Sequence, residues 1–259
     1  MDSARQLEYL QAMGVDVWVR RVAPAQRIAQ VDAVSAVETA AHVSAVAAAA
    51  PELTPEPFED APFSRPADED AQWKALRDEV LTCTKCQLHA TRTQGVFGVG
   101  NRRADWLIIG EAPGAEEDRR GEPFVGRAGQ LLNAMLKAIG LEREQVFIAN
   151  VLKSRPPGNR DPKPEEVAAC LPYLMRQIAL LRPRLMLAVG RIAAQNLLAT
   201  DVALGRLRGQ VHTFGELNTP LIVTYHPAYL LRSPADKRKA WEDLKFARGT
   251  FERLAAQEP

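Results

Sequence analysis

From residue 72 onward the sequence predicts a three-layer α/β/α sandwich around a central, mainly parallel sheet. Three observations carry that prediction. Four short apolar runs have the composition of buried strands, stretches of helical periodicity separate them, and loops dense in Gly, Pro and polar residues follow them. Strands alternating with helices build a parallel sheet covered on both faces.

The elements follow in order. Trp73, Leu76, Val80 and Leu81 keep helical spacing and lead into Cys83. Trp106-Leu107-Ile108-Ile109-Gly110 is the first strand. Leu131, Leu132, Met135, Leu136 and Ile139 make one helix stripe, stopped at Gly140. Val146-Phe147-Ile148-Ala149 is the second strand, Glu165 to Leu181 a helix, and Leu185-Met186-Leu187-Ala188-Val189 the third strand. Ile192 to Leu198 is a helix, Leu221-Ile222-Val223-Thr224 the fourth strand, and Ala235 to Leu254 a closing helix.

Ahead of this domain the composition changes. Residues 3–22 read as a short amphipathic helix with Leu7, Leu10 and Met13 on one face, then an extended piece in which Trp18 is followed by Arg20 and Arg21. An aromatic anchor with a cationic rim suits a docking peptide; packing on the main domain is the alternative. Residues 23–71 are an Ala/Pro-rich acidic linker, with Pro51, Pro55, Pro57, Pro62 and Pro66 punctuating it. Such a stretch buries too little apolar surface to offset its ordering entropy. The expected organisation is therefore a peptide over 1–22, a linker over 23–71 and a domain over 72–259.

The formal net charge of +1 over 259 residues hides an asymmetry. Residues 1–72 hold 5 Lys/Arg against 12 Asp/Glu, a net of −7, and residues 73–259 hold 28 against 20, a net of +8. A split of this kind often separates a nucleic-acid-facing domain from an acidic tail, and it equally suits a moderately basic enzyme beside an unrelated linker. Three cysteines are too few for a disulfide scaffold and point to a reducing compartment. No signal peptide is expected from Met1-Asp2-Ser3-Ala4-Arg5, and no run reaches the roughly 18 apolar residues of a membrane span, so a cytoplasmic protein with no membrane contact is expected.

In open parallel sheets ligands sit beyond the carboxyl ends of the strands. The first strand is followed by Gly110-Glu111-Ala112-Pro113-Gly114, then Glu116-Glu117-Asp118 and Gly121-Glu122-Pro123-Phe124-Val125-Gly126. The second is followed by Asn150-Val151-Leu152-Lys153-Ser154-Arg155-Pro156-Pro157-Gly158-Asn159-Arg160, and the fourth by His226-Pro227-Ala228-Tyr229-Leu230-Leu231-Arg232. Together these loops offer a carboxylate, an amide, an imidazole and an aromatic plate.

These blocks, the Cys83-x-x-Cys86 pair before them and Cys170 after Pro162-Lys163-Pro164-Glu165-Glu166 resemble the family-four, thermophile-type uracil-DNA glycosylases over about residues 73–255. The resemblance implies a uracil-DNA glycosylase-like fold, a monomer, removal of uracil from DNA at the start of base excision repair, and a structural 4Fe–4S cluster. A base inside a duplex is unreachable, so the nucleotide has to be flipped into a pocket. In that frame Phe124 matches the plate on which uracil stacks, with Ala112 and Pro113 lining the same pocket. Asn150 matches the amide that pairs with O4 and N3, an arrangement that mismatches cytosine. His226 matches a neutral imidazole donating to O2 as negative charge builds on the base. Glu111 matches the carboxylate that positions water or stabilises the cationic sugar, and Glu117 a second acidic position on the C5 side of the base. Tyr229, Leu230, Leu231 and Arg232 match the wedge that fills the gap left by the flipped base. Arg119, Arg127, Lys153, Arg155, Arg160 and the Lys237-Arg238-Lys239 run are candidate phosphate contacts.

One position departs from the family pattern. Where the Asn-x-x-Lys block is followed by a cysteine, this chain has Ser154, which leaves Cys83, Cys86 and Cys170 as the metal-ligand candidates. Cubane clusters normally use four thiolates. A weakened four-iron cluster, a three-iron cluster and no cluster are all open; zinc is not expected, since a closed structural site also wants four ligands. Arg5 to Arg21 resembles the start of the DNA polymerase III psi subunit, which implies that residues 1–22 bind a replisome or clamp-loader component. Two other functions stay open: a non-catalytic DNA-binding accessory of a polymerase, and a glycosylase of different deaminated-base preference.

Overall fold

All four apolar runs become strands of one six-stranded sheet in the computed structural model, which describes residues 68–215 and 218–256. In chain order the strands are β1 (Val99–Gly100), β2 (Trp106–Gly110), β3 (Phe147–Asn150), β4 (Leu185–Val189), β5 (His212–Phe214) and β6 (Thr219–Thr224). Their spatial order is β1-β3-β2-β4-β6-β5. The middle four are parallel, and β1 and β5 close the edges antiparallel. The sequence reading missed both edge strands. One is two residues long, the other three and partly exposed, so neither carries a buried apolar run. Short edges of this sort also resist pairing with other chains.

The helices are α1 (Glu69–Thr82), α2 (Ala115–Arg120), α3 (Arg127–Ala138), α4 (Pro164–Leu181), α5 (Arg191–Leu197), α6 (Leu204–Leu207), α7 (Pro227–Arg232) and α8 (Lys237–Ala255). Successive strand residues face opposite sides of the sheet, and the core divides accordingly. Leu107 and Ile109 pack with Trp73, Leu76 and Val80 of α1 and Leu174 and Ile178 of α4. Trp106 and Ile108 pack with Leu132 and Leu136 of α3 and Leu244 and Ala247 of α8. Each fully buried Leu or Ile contributes roughly 1.5–3 kcal/mol, so the three layers hold by apolar burial on both faces.

Helix α1 begins at Glu69, three residues ahead of the boundary expected at residue 72. The peptide expected over 1–22, and residues 23–67 of the linker expected over 23–71, lie outside the described residues. Among the described residues no helix is long and apolar enough to cross a membrane. From β2 the chain moves outward to β3, then crosses back over β2 to β4. The strand order reverses there, and this is the place where open α/β sheets form a ligand crevice.

Candidate active site

A cavity of about 640 Å³ opens at the carboxyl ends of the central strands. Glu111 enters it after β2, Asn150 at the end of β3, Gly190 and Arg191 after β4, and Tyr225 and His226 after β6. Register sets the spacing: Gly110 lies opposite Asn150, so the first two loops leave the sheet side by side.

Phe124 forms one wall. It is 6% exposed, although it sits in a loop rather than on a strand or helix. Its φ of 53° is left-handed, costly for a bulky residue unless surrounding contacts over-determine it. Those contacts are present. Glu117 Oε1 accepts from the amides of Val125 (3.0 Å) and Gly126 (3.1 Å). Two glycines make room: a Cβ on Gly110 would fall 2.6 Å from Phe124 Cζ, and a Cβ on Gly129 would overlap the Phe124 carbonyl.

Asn150 is 2% exposed, and its Oδ1 is buried with no hydrogen-bond partner. Leaving such an acceptor unmet costs about 1–3 kcal/mol, and the cavity it lines is where a donor would meet it. Lys153, expected at DNA phosphates, is instead 1% exposed. Its Nζ donates to the Asn150 carbonyl (2.7 Å) and to Gln177 Oε1 (2.6 Å). Burial pushes this amine down to about 7. Lys153 thus holds the end of β3 from inside the core, where phosphate cannot reach it.

His226 caps the amino end of α7, and the amide of Ala228 donates to its Nδ1 at 3.1 Å. A neutral ring accepting at Nδ1 carries its proton on Nε2. Burial, assisted by Arg232 and opposed by Glu117, pushes His226 down to about 4, so the ring is neutral at physiological pH. The Phe124 and His226 ring centroids are 5.5 Å apart. Gly190, at φ 101°, leaves the space that the imidazole needs; a Cβ there would fall 2.9 Å from His226 Cβ.

Glu111 is pushed up to about 7, first by burial and then by the Asp161 carboxylate, with Arg191 opposing. Arg191 donates to Asp161 at 2.6 Å, and both line the cavity. Neither was picked out by sequence reasoning. The strand-end rule contained the signal: Gly190-Arg191 follows the third strand as the other loops follow theirs.

The expected DNA-contacting residues fall into different settings. Arg160 makes a two-bond ion pair with buried Glu166, which also accepts from the Lys163 amide at the start of α4. Arg119 pairs with Glu116, and Arg155 donates to Asn159. In α7 the four wedge candidates separate. Leu230 is 1% exposed and packs in the core. Tyr229 stacks on Tyr225 and donates its hydroxyl to Asp236 at 2.6 Å. Leu231, at 42% exposed, and the exposed Arg232 remain available. One helical turn cannot present successive residues on the same side, which is why a contiguous sequence block did not become a contiguous surface. In the Lys237-Arg238-Lys239 run, Arg238 pairs with Glu242 and Lys239 with Asp236.

Residues 97–245 match the family model described as the uracil DNA glycosylase superfamily. A type-4 uracil-DNA glycosylase of Archaeoglobus fulgidus is 47% identical over 173 residues, covering 64% of this chain and 87% of that protein. One from Thermotoga maritima is 41% identical over 177 residues, covering 67% and 91%. The chain belongs to the type-4 uracil-DNA glycosylases. A DNA polymerase of Bacillus phage SP01 is also similar, 28% identical over 139 residues, 53% of this chain and 15% of the polymerase.

The type-4 resemblance brings in the cysteine corner. Cys83 and Cys86 are partly buried against the same apolar cluster that contains buried Cys170. The amide of Lys153 donates to Cys170 Sγ at 3.5 Å. Ser154 occupies the remaining position, and its Oγ accepts from Arg92 Nη1 at 2.8 Å. Arg92 also donates to the carbonyls of Leu81 (2.9 Å) and Cys83 (3.0 Å). Among the described residues no group of three or more His, Cys, Asp or Glu is close enough to hold a metal ion. Cys83, Cys86 and Cys170 supply three thiols where a cubane normally uses four, and at the fourth sequence position a hydroxyl bound to a guanidinium replaces a thiolate.

Proposed function

We propose that this chain flips uracil out of DNA and hydrolyses its N-glycosidic bond, leaving an abasic site for base excision repair. One arrangement carries the reading: the buried Phe124 ring, the unpaired Asn150 Oδ1 and the His226 imidazole line one cavity at the sheet's switch point. Uracil stacks on Phe124, and Asn150 Oδ1 accepts from its N3–H while the amide nitrogen donates to O4. Cytosine carries an acceptor at N3 and a donor at the neighbouring position, so both contacts reverse to mismatches. As the C1′–N1 bond breaks, its electron pair stays with the base, and the charge gathering on O2 meets Nε2–H of His226. Ionised Glu111 stabilises the cationic sugar and orients the water whose oxygen adds to C1′ while its proton passes to the Glu111 carboxylate, and the released uracil anion takes up a proton from solvent. Leu231 fills the gap in the duplex, with Arg127 and Arg232 on phosphates; Arg119, Arg155 and Arg160 reach phosphate only by giving up or sharing their present partners.

The accompanying cofactor reading is a structural 4Fe–4S cluster that Cys83, Cys86 and Cys170 would hold, labile because Ser154 provides no fourth thiolate. It would cross-link the segment after α1 to α4, and the excision steps do not pass through it. Iron and sulfide are expected below full occupancy in anaerobically purified protein and to rise in Ser154→Cys; no iron in either would remove the cluster. The remaining parts of the reading are a monomer acting on DNA in the cytoplasm and a replisome-docking role for residues 1–22, which raises local concentration at forks. Pull-down with that peptide, recovering or failing to recover a clamp-loader component, decides the docking role.

The central test is strand cleavage after alkali on single- and double-stranded oligonucleotides containing uracil, hypoxanthine or xanthine, with His226→Ala as control. Excision of uracil that His226→Ala abolishes is expected. Excision confined to the purine bases would point to a different base preference. Binding without excision would make the chain a DNA-binding accessory, a reading to which the similarity to a phage polymerase lends some support.

A further inference from the structure

The stacking plate depends on a side chain far from it in sequence. Arg143 belongs to the single turn Arg143–Gln145 that leads into β3. Its Nη2 donates to the Pro123 carbonyl at 2.6 Å, and its Nη1 donates to the Phe124 carbonyl and to Asn133 Oδ1 of α3, both at 3.2 Å. From the other side Glu117 takes the next two amides, those of Val125 and Gly126. Four consecutive residues therefore each have one backbone group met by one of two side chains, carbonyls by a cation and amides by an anion. Between these two jaws lies Phe124, whose backbone φ of 53° disfavours any residue but glycine.

We infer that Arg143 is a positioning residue for uracil excision, holding Phe124 in its left-handed conformation so that the ring stays against Gly110 and beside His226. The alternative is a plain structural arginine, or a phosphate contact. The phosphate role fits poorly with its geometry: both terminal nitrogens are committed to carbonyls and an amide oxygen, and the guanidinium is partly buried. The chemistry suits the clamp instead. A planar guanidinium presents several donors in fixed directions, so it can serve two adjacent carbonyls at once, and an ammonium group serves them less well. Sequence alone gave no sign of this role, because Arg143 lies 19 residues from Phe124 and outside every loop that follows a strand.

The inference rests on the reading of Phe124 as the uracil plate, and a double-mutant cycle separates the two. Single-turnover excision is measured for the full chain, Arg143→Met, Phe124→Ala and the double variant, with melting curves to verify folding. A displaced plate lowers kcat by about tenfold in Arg143→Met, since misplacement of roughly 1 Å can cost up to about a hundredfold. KM for DNA stays within about twofold, because no phosphate contact is removed. In the Phe124→Ala background the same change has no further effect, and Arg143→Lys recovers part of the loss. Equal losses in both backgrounds overturn the positioning role, as does a rise in KM with unchanged kcat. If Phe124→Ala is itself as active as the full chain, the plate reading fails, whatever Arg143→Met does. Should Arg143→Met not fold, Arg143→Lys carries the same cycle, and independence of its loss from Phe124 overturns the role in the same way.

Discussion

At His226 the Ala228 amide and the surrounding protein act in the same direction. The amide occupies Nδ1, and burial holds the ring neutral down to about pH 4, so Nε2–H is a donor across the physiological range. Such a donor strengthens its bond as charge develops and needs no reorganisation at that moment. His226→Ala should therefore lower single-turnover excision by about 10²–10³-fold. Glu111 is tuned the other way. Because it titrates near 7, excision should rise with pH toward a plateau above about 7, and a pH–rate profile should lose that limb in Glu111→Gln. The same shift bears on stability. Folded Glu111 holds its proton more tightly than the unfolded chain, so stability is fully present below about 4.5 and declines as pH rises through about 7. Glu111→Gln should accordingly raise stability at pH 8 and not at pH 4. After allowance for solvent at this half-buried group the gain is about 1–2 kcal/mol, readable by urea denaturation.

At the scale of elements, strand register and helix phase decide which parts of a motif reach the site. The Gly110–Asn150 pairing brings two loops, separated by about forty residues of chain, to adjacent exits from the sheet. Short α7 turns Leu230 inward and Leu231 outward. These neighbours should behave differently when truncated. Leu231→Ala should leave melting unchanged and reduce excision more on duplex than on single-stranded substrate, where there is no stack to refill. Leu230→Ala should cost about 2–5 kcal/mol of stability through the cavity it creates. Parallel melting and excision assays on the two variants check both statements. An equal loss on both substrates with Leu231→Ala would remove the wedge.

Across the whole molecule, the candidate site is braced by ion pairs behind it. Arg208 lies 4.5 Å over the ring of Tyr225, which stacks on Tyr229, and it makes two bonds to Asp243 on α8. Asp243 is 2% exposed and also accepts from Thr224 at the end of β6. Removing one partner strands a buried charge, so Arg208→Met should destabilise the domain by about 3–5 kcal/mol in denaturant titrations. The His226 loop stands on this brace, and excision should fall with it. The +8 net charge of residues 73–259 is likewise a property of the whole, and many of its arginines are spent inside the domain. Arg92, Arg143, Arg160 and Arg208 all hold backbone or carboxylate partners. Composition therefore overstates the charge available to phosphate.

The four central strands, the helices between them and the identities of Glu111, Phe124, Asn150 and His226 were legible in the sequence. Apolar runs and helical stripes are local patterns, and motif residues follow strand ends by chain order. The edge strands were not legible, because two or three residues with mixed exposure carry no periodicity. Nor were Asp161, Arg191 and Arg143, whose partners come from distant loops. Lys153 and Leu230 show the limit most plainly: each sits in a motif beside site residues, yet the fold turns each into the core. Sequence by itself determined the family, the fold class and the chemical groups at the site. Only the tertiary structure decided which basic and apolar side chains face outward, because facing is set by strand register, helix phase and competing internal partners, and none of these is a property of neighbouring residues in the chain.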